Sequence, residues 1–138
     1  MIIGFTGSRH GMTQAQKDAL KSVLRVFEPS EVHHGLCVGA DEQFHHIVRG
    51  LFTSCRVIGH PPANTLKMAS ISSQCDHVLH PEPYLNRDRA IVDACNTLIA
   101  TPGTHTAIPH SGTWYTIQYA RKCGVTAYII YPNGRTQL

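Results

Sequence analysis

Along this chain the apolar positions alternate between two patterns: short continuous runs, and residues spaced three or four apart. The opening "MIIGFTG" is a continuous apolar run closed by glycine, which predicts a buried strand. Residues 13–27 follow with helical spacing. Ala19, Leu20, Val23, Leu24 and Phe27 form one stripe, and Thr13 with Gln16 forms a capping box. "EVHHGLC" predicts a second strand, and Asp41 is the expected cap of a second helix carrying Phe44, Ile47, Val48, Leu51 and Phe52 on one face. "SCRVIGHPP" reads as a strand and its stop, "NTLKMASISS" as a short or irregular helix, and "DHVLHPEP" as another strand. Leu85, Ile91, Val92 and Cys95 mark a helix in "YLNRDRAIVDAC", and "NTLIATPG" is a buried strand ended by Pro-Gly. Beyond a loop over 103–110, Trp114, Ile117 and Ala120 share a helix face, with Arg121 and Lys122 in its last turn and Gly124 as its stop. "VTAYIIYP" is the last strand, before a short polar tail.

Strands that alternate with helices, and are apolar throughout their length, predict a parallel sheet covered on both faces. The expected fold class is α/β, doubly wound, with a mainly parallel sheet in a single domain over residues 1–138. Ligands in such folds bind beyond the carboxyl ends of the strands, where the strand order reverses.

Composition narrows the function classes. The net charge is +3 and the basic residues are scattered, so no basic tail marks a nucleic-acid partner, and small anions suit the balance as well. The N-terminus lacks the basic-then-apolar pattern of a signal peptide, and no apolar run reaches the length of a membrane span. The five cysteines are odd in number and form no C-x-x-C pair, which predicts reduced thiols in a cytoplasmic protein. Ten histidines raise the question of a metal. The doublets His33-His34 and His45-His46 and the pair His77/His80 invite one, but neighbours in a doublet point in different directions and neither H-E-x-x-H nor a Cys/His cluster is present, so no metal is expected.

Most of the unusual residues follow a strand. Gly7-Ser8-Arg9 comes after the first, Gly35, Gly39 and Asp41 after the second, and Pro102-Gly103 then Ser111-Gly112-Thr113 after "NTLIA". Ser111 and Thr113 are ordinary N-cap residues. Together with Gly112 they can also form an anion site, because free N–H groups and the helix dipole favour a phosphate there. Three glycine-containing turns on one sheet edge predict a composite phosphate cradle. Neither G-x-G-x-x-G nor a P-loop sequence is present.

"GFTGSR", "HGLCVGAD", "NRDRAIVDACNTLIATP" and "SGTWYTIQYARKCGV", in this order and spacing, resemble the SLOG superfamily. That group joins the DNA-processing protein Smf/DprA, the LONELY GUY phosphoribohydrolases and the YspA-like small proteins of bacteria and phages, the last being the nearest. The resemblance implies a Rossmann-like fold and a nucleotide or nucleotide-derived ligand, phosphoribosyl or ADP-ribose-like. It implies ligand contacts at Gly7 and Ser8, a second turn at Gly39 and Asp41, and a phosphate loop at Gly112 and Thr113. Arg87, counted back from Pro102, falls where the hydrolases carry a functional arginine, with Asn86 beside it. Arg9 can face a phosphate, Trp114 can stack on a base, and His105 and His110 lie in an insertion that can close over a ligand.

The chain departs from the hydrolases at one chemical position. Their glutamate, three residues after the threonine of the Gly-Thr pair, is replaced here by Thr116. A threonine hydroxyl neither activates water nor offsets an oxocarbenium charge well. The expectation is therefore a homo-oligomeric sensor or sequestering protein with no cofactor. The alternatives are an N-glycosidase in which Arg87 is catalytic and an acid such as Asp41, Glu42, Asp88 or Asp93 serves, and single-stranded DNA binding.

Overall fold

The computed structural model describes residues 1–138. In chain order the elements are β1 (Ile2–Gly7), α1 (Gln14–Phe27), β2 (Glu31–His34), α2 (Ala40–Leu51), β3 (Arg56–Gly59), β4 (His77–Val78), α3 (Tyr84–Asp93), β5 (Thr97–Thr101), α4 (Gly112–Lys122), β6 (Thr126–Ile130) and β7 (Thr136–Gln137). The strands stand in the order β4-β3-β2-β1-β5-β6-β7, and every pair is parallel except β6 with β7. From β1 the chain steps outward to β4, then returns to the other side of β1 for β5. The order reverses between β1 and β5, so the turns leaving those two strands diverge and open a crevice. The fold is α/β, Rossmann-like and doubly wound.

Side-chain alternation on the central strands divides the core into two layers. Ile3, Phe5 and Ile99 face one cluster with Leu20 and Leu24 of α1 and Phe44 and Val48 of α2, where the rings of Phe5 and Phe44 stack at 4.2 Å. Leu98, Ala100 and Ile129 face the other, with Ile91 and Val92 of α3 and Trp114, Ile117 and Ala120 of α4. All five residues of β5 are buried, as the continuous apolar run predicts for a strand covered on both faces. The capping box at Thr13 and Gln16 forms as read, and Ser111 caps α4.

Several boundaries differ from the sequence reading. "NTLKMASISS" gives two 3-10 turns, Thr65–Lys67 and Ser72–Gln74, and the strand after it shrinks to two residues. The polar tail is not free, because Thr136 and Gln137 pair antiparallel with Ile130 and Ile129. Asp41 does not cap α2. The cap position is Gly39, with φ 86° and no side-chain bond, and the Ala40 amide donates instead to the Ser8 carbonyl at 2.9 Å. A β-carbon on Gly39 would collide with the Arg9 backbone, which ties the second turn to the first. The five cysteines are free thiols, Cys55 buried and Cys123 exposed. No helix is long and apolar enough to cross a membrane.

Candidate functional site

A cleft of about 1130 Å³ lies at the carboxyl ends of β1 and β5, where the strand order reverses. Its floor begins at Gly7, whose α-carbon is packed against Thr101 and Ala40 so closely that no side chain fits. Ser8 holds the following turn: its carbonyl accepts the amides of Gly11 and Ala40, and its hydroxyl accepts the amide of His10 at 3.1 Å. Arg9 projects from this turn at the cleft rim, exposed and without a protein partner.

The opposite wall is the opening of α4. The Ser111 hydroxyl accepts the Trp114 amide at 3.2 Å, and the Ser111 carbonyl accepts the Tyr115 amide at 2.9 Å. The amides of Gly112 and Thr113 meet no protein acceptor, and both residues line the cleft. Two free N–H groups at a helix start form a local positive end.

A buried charged group closes the third side. Arg87 is 6% exposed, and its guanidinium is surrounded by protein acceptors. Nε donates to Asp88 Oδ1 at 2.8 Å, Nη1 to the Gly35 carbonyl and, at 3.5 Å, the His60 carbonyl, and both terminal nitrogens approach Cys37 Sγ at 3.6 Å. Its carbon lies 5.3 Å from the centre of the Tyr84 ring. Asp41 accepts the Cys37 amide at 3.1 Å through Oδ2. Burial pushes the carboxyls of Asp41 and Asp88 up to about 6, although the nearby Arg87 pulls both down. Asp88 stands beside Thr116 and lies 3.7 Å from where a β-carbon on Gly112 would be. Position 116 thus lacks a carboxylate, but α3 brings one alongside it.

Of the residues singled out from the sequence, Gly7, Ser8, Arg9, Asp41, Arg87, Ser111, Gly112, Thr113 and Trp114 line this cleft. Gly39, Asn86 and Pro102 do not. Gly39 supports the Arg9 backbone from behind, Asn86 is exposed beyond the lining, and the buried Pro102 carbonyl accepts Gln16 Nε2 at 2.8 Å. Trp114 is 6% exposed in the α3–α4 layer, its indole N–H held by Thr104 at 2.9 Å, so packing takes most of its ring. In the insertion, His110 lines the cleft, whereas His105 stacks on Tyr131. The sequence reading placed Gly35 in the second glycine turn, and it lines the cleft; no site role was given to Cys37, which also lines it, nor to His60, whose carbonyl meets Arg87. Asp88 it named only as one of four substitute acids, and its position next to Arg87 was the available signal.

The histidines group in a way the doublets did not suggest. One member of each doublet meets the other across the core, His34 Nε2 to His45 Nδ1 at 3.1 Å, with Cys75 near enough that the three donor atoms lie within 4.8 Å. The Leu36 amide donates to His34 Nδ1 at 3.1 Å, so Nε2 carries the proton and donates to His45. That proton leaves His34 no free lone pair for a cation, and the group is a hydrogen-bond chain. His33 turns the opposite way and bridges Glu31 and His60 at 2.8 and 2.7 Å.

No protein-family model and no curated protein matches this chain. Solved structures do match its fold. A molybdenum cofactor binding protein from the phototrophic bacterium Rippkaea orientalis is similar with a TM-score of 0.70 at 18% identity, over 94% of this chain and 76% of that one. The structure of TM1055 is similar with a TM-score of 0.64 at 14% identity, over 91% of this chain and 71% of that one. At these identities the likeness shows a shared fold.

Proposed function

We propose that this chain is a SLOG-type domain, nearest to the YspA-like branch, whose cleft binds a nucleotide or nucleotide-derived ligand as a sensor or sequestering protein. The observation that carries this reading is the pair of unpaired amides on Gly112 and Thr113, which line the same cleft as Ser8 and the unpartnered Arg9. A phosphate on those amides gains the helix dipole and a guanidinium at once. A molybdenum cofactor binding protein among the structures of like fold is in keeping with a small-molecule role for this fold. Arg87 contributes by holding the cleft wall together, since Nε and Nη1 are held by Asp88 and the Gly35 carbonyl.

A second reading is favoured by one observation: the Asp88 carboxyl beside Thr116 supplies the acid that the hydrolase motif has lost. On that reading the cleft cleaves an N-glycosidic bond, with Asp88 offsetting the developing ribosyl charge.

Mass spectrometry of small molecules released by heating the purified protein, with and without prior incubation with nucleoside mono- and diphosphates, tests both. An intact nucleotide carried by the protein supports the binder. Free base with sugar phosphate supports the hydrolase. Finding neither returns Ser111 and its neighbours to a plain helix cap.

A further inference from the structure

Asp88 is carried by α3, yet its carboxylate lies beneath the opening of α4. Oδ1 accepts Arg87 Nε at 2.8 Å, whereas Oδ2 receives no hydrogen bond from a protein donor, although the residue is only 6% exposed. The neighbouring Thr116 hydroxyl has one hydrogen to give and donates it to the Gly112 carbonyl at 2.7 Å. Arg87 cannot swing toward Oδ2 without releasing the Gly35 carbonyl. A carboxylate oxygen that keeps only a narrow opening and takes no protein donor at hydrogen-bond geometry has lone pairs to offer a ligand donor. This oxygen is not sealed in the core, because Asp88 lines the cleft and a bound molecule can reach it.

The surroundings specify which donor. A second phosphate or a ligand carboxylate would meet like charge from Asp88 and Asp41 together. An apolar group would leave Oδ2 unsatisfied. The remaining partners are N–H and O–H groups, and proximity selects among them. Oδ2 is 3.7 Å from where a Gly112 β-carbon would stand, immediately beside the amides that receive the phosphate in the reading above. In a nucleoside 5′-phosphate the group next to the phosphate is the sugar, and the base lies beyond it.

We infer that Asp88 is a specificity-determining residue for ribose, accepting a 2′ or 3′ hydroxyl of a ribonucleotide on Oδ2 while the phosphate rests on Gly112 and Thr113. The inference depends on that phosphate placement. It makes the cleft a two-part recognition site, with the positive helix start for the phosphate and the acidic end beside Arg87 for the sugar. A ligand that covers this oxygen without offering the matching hydroxyl leaves the acceptor unpaired and is disfavoured.

Isothermal titration of the full chain with the four ribonucleoside 5′-monophosphates, and with their 2′-deoxy and 3′-deoxy counterparts, tests it. At least one ribonucleotide should bind about tenfold or more tightly than the counterpart lacking the recognised hydroxyl. Equal binding of the ribo and deoxy forms overturns the assignment to Asp88 and leaves the phosphate reading standing. No binding of either series overturns both. The wild-type ratio needs no variant. Asp88→Asn, with its folding checked by thermal unfolding, should bring the ratio close to one. If that variant weakens both series equally and keeps the ratio, Asp88 merely supports the cleft wall.

Discussion

The Arg87 guanidinium donates to the Gly35 carbonyl and thereby ties the start of α3 to the turn leaving β2. The tie leaves no room for a side chain. A β-carbon on Gly35 would collide with Arg87 Nη1 and stand 2.9 Å from Asp41 Oδ2. Gly35→Ala should therefore break a buried charged cluster, at a cost of about 2–4 kcal/mol in urea unfolding. Gly50 is the control. It lies in α2 with nothing within 4 Å of an added β-carbon, so Gly50→Ala should stabilise by up to about 1 kcal/mol. Equal effects at the two positions would show that Arg87 moves aside freely.

Gly112 separates packing from charge. An added β-carbon would meet only Asp88 Oδ2, at 3.7 Å, an ordinary contact, so Gly112→Ala should fold normally and keep its ligand. Gly112→Asp places a carboxylate at the helix start, where it competes for the free amides and repels a phosphate. The expected result is a loss of nucleotide affinity of about a hundredfold or more, equivalent to roughly 3 kcal/mol. The unfolding midpoint should stay within a few degrees of wild type. Retained affinity in this variant would move the phosphate to another part of the cleft.

The two arginines of the cleft should behave in opposite ways. Arg9 is exposed and unpartnered, so Arg9→Ala should leave stability unchanged while weakening phosphate ligands about tenfold, by the loss of one charged contact. Arg87 is buried with Asp88, Gly35 and Cys37 around it, so Arg87→Lys should destabilise the fold, because an ammonium cannot reproduce the planar fork. Titration of each variant at two salt concentrations checks the first claim, since only the Arg9 contribution should shrink with salt.

The periodicities carried the fold because they report burial, and burial is what the sheet and its helices share. The five-residue run of β5 and the stripes on α1 and α2 lie where the spacing put them. Asp41 was misread for a physical reason. An aspartate at the start of a helix suits a cap and a buried ligand-side carboxylate equally, and only the tertiary contact of Gly39 with Arg9 decides between them. Arg87 was singled out in the sequence and lines the cleft, but its burial among residues 35, 37 and 60 was not legible, because those partners lie far along the chain. The histidine doublets were read as pointing apart, and the sheet does send His33 and His34 to opposite faces; their partners there, His60 and His45, were not legible because they come from distant elements.

Those buried histidines set the response to acid. Burial lowers His34, His45 and His60 from 6.5, His45 to about 4 and His60 to about 3. The unfolded chain therefore holds protons on them that the native state refuses, and stability falls as pH drops below about 6.5. Asp41 and Asp88 act in the opposite sense. Their native values of about 6 exceed the unfolded 3.8, so the native state holds the extra protons, and their contribution grows as pH falls from 6 to 4. Three histidines oppose two carboxyls across that window, and the net expectation is a loss of stability on acidification. His45→Asn keeps an acceptor for His34 Nε2 but removes one titrating group. Between pH 6.5 and 4.5 its stability should fall less steeply than that of wild type, by up to about 1.4 kcal/mol per pH unit. Urea unfolding at pH 4.5, 5.5, 6.5 and 7.5 measures both slopes, and identical slopes would mean that His45 gains its proton without unfolding the core.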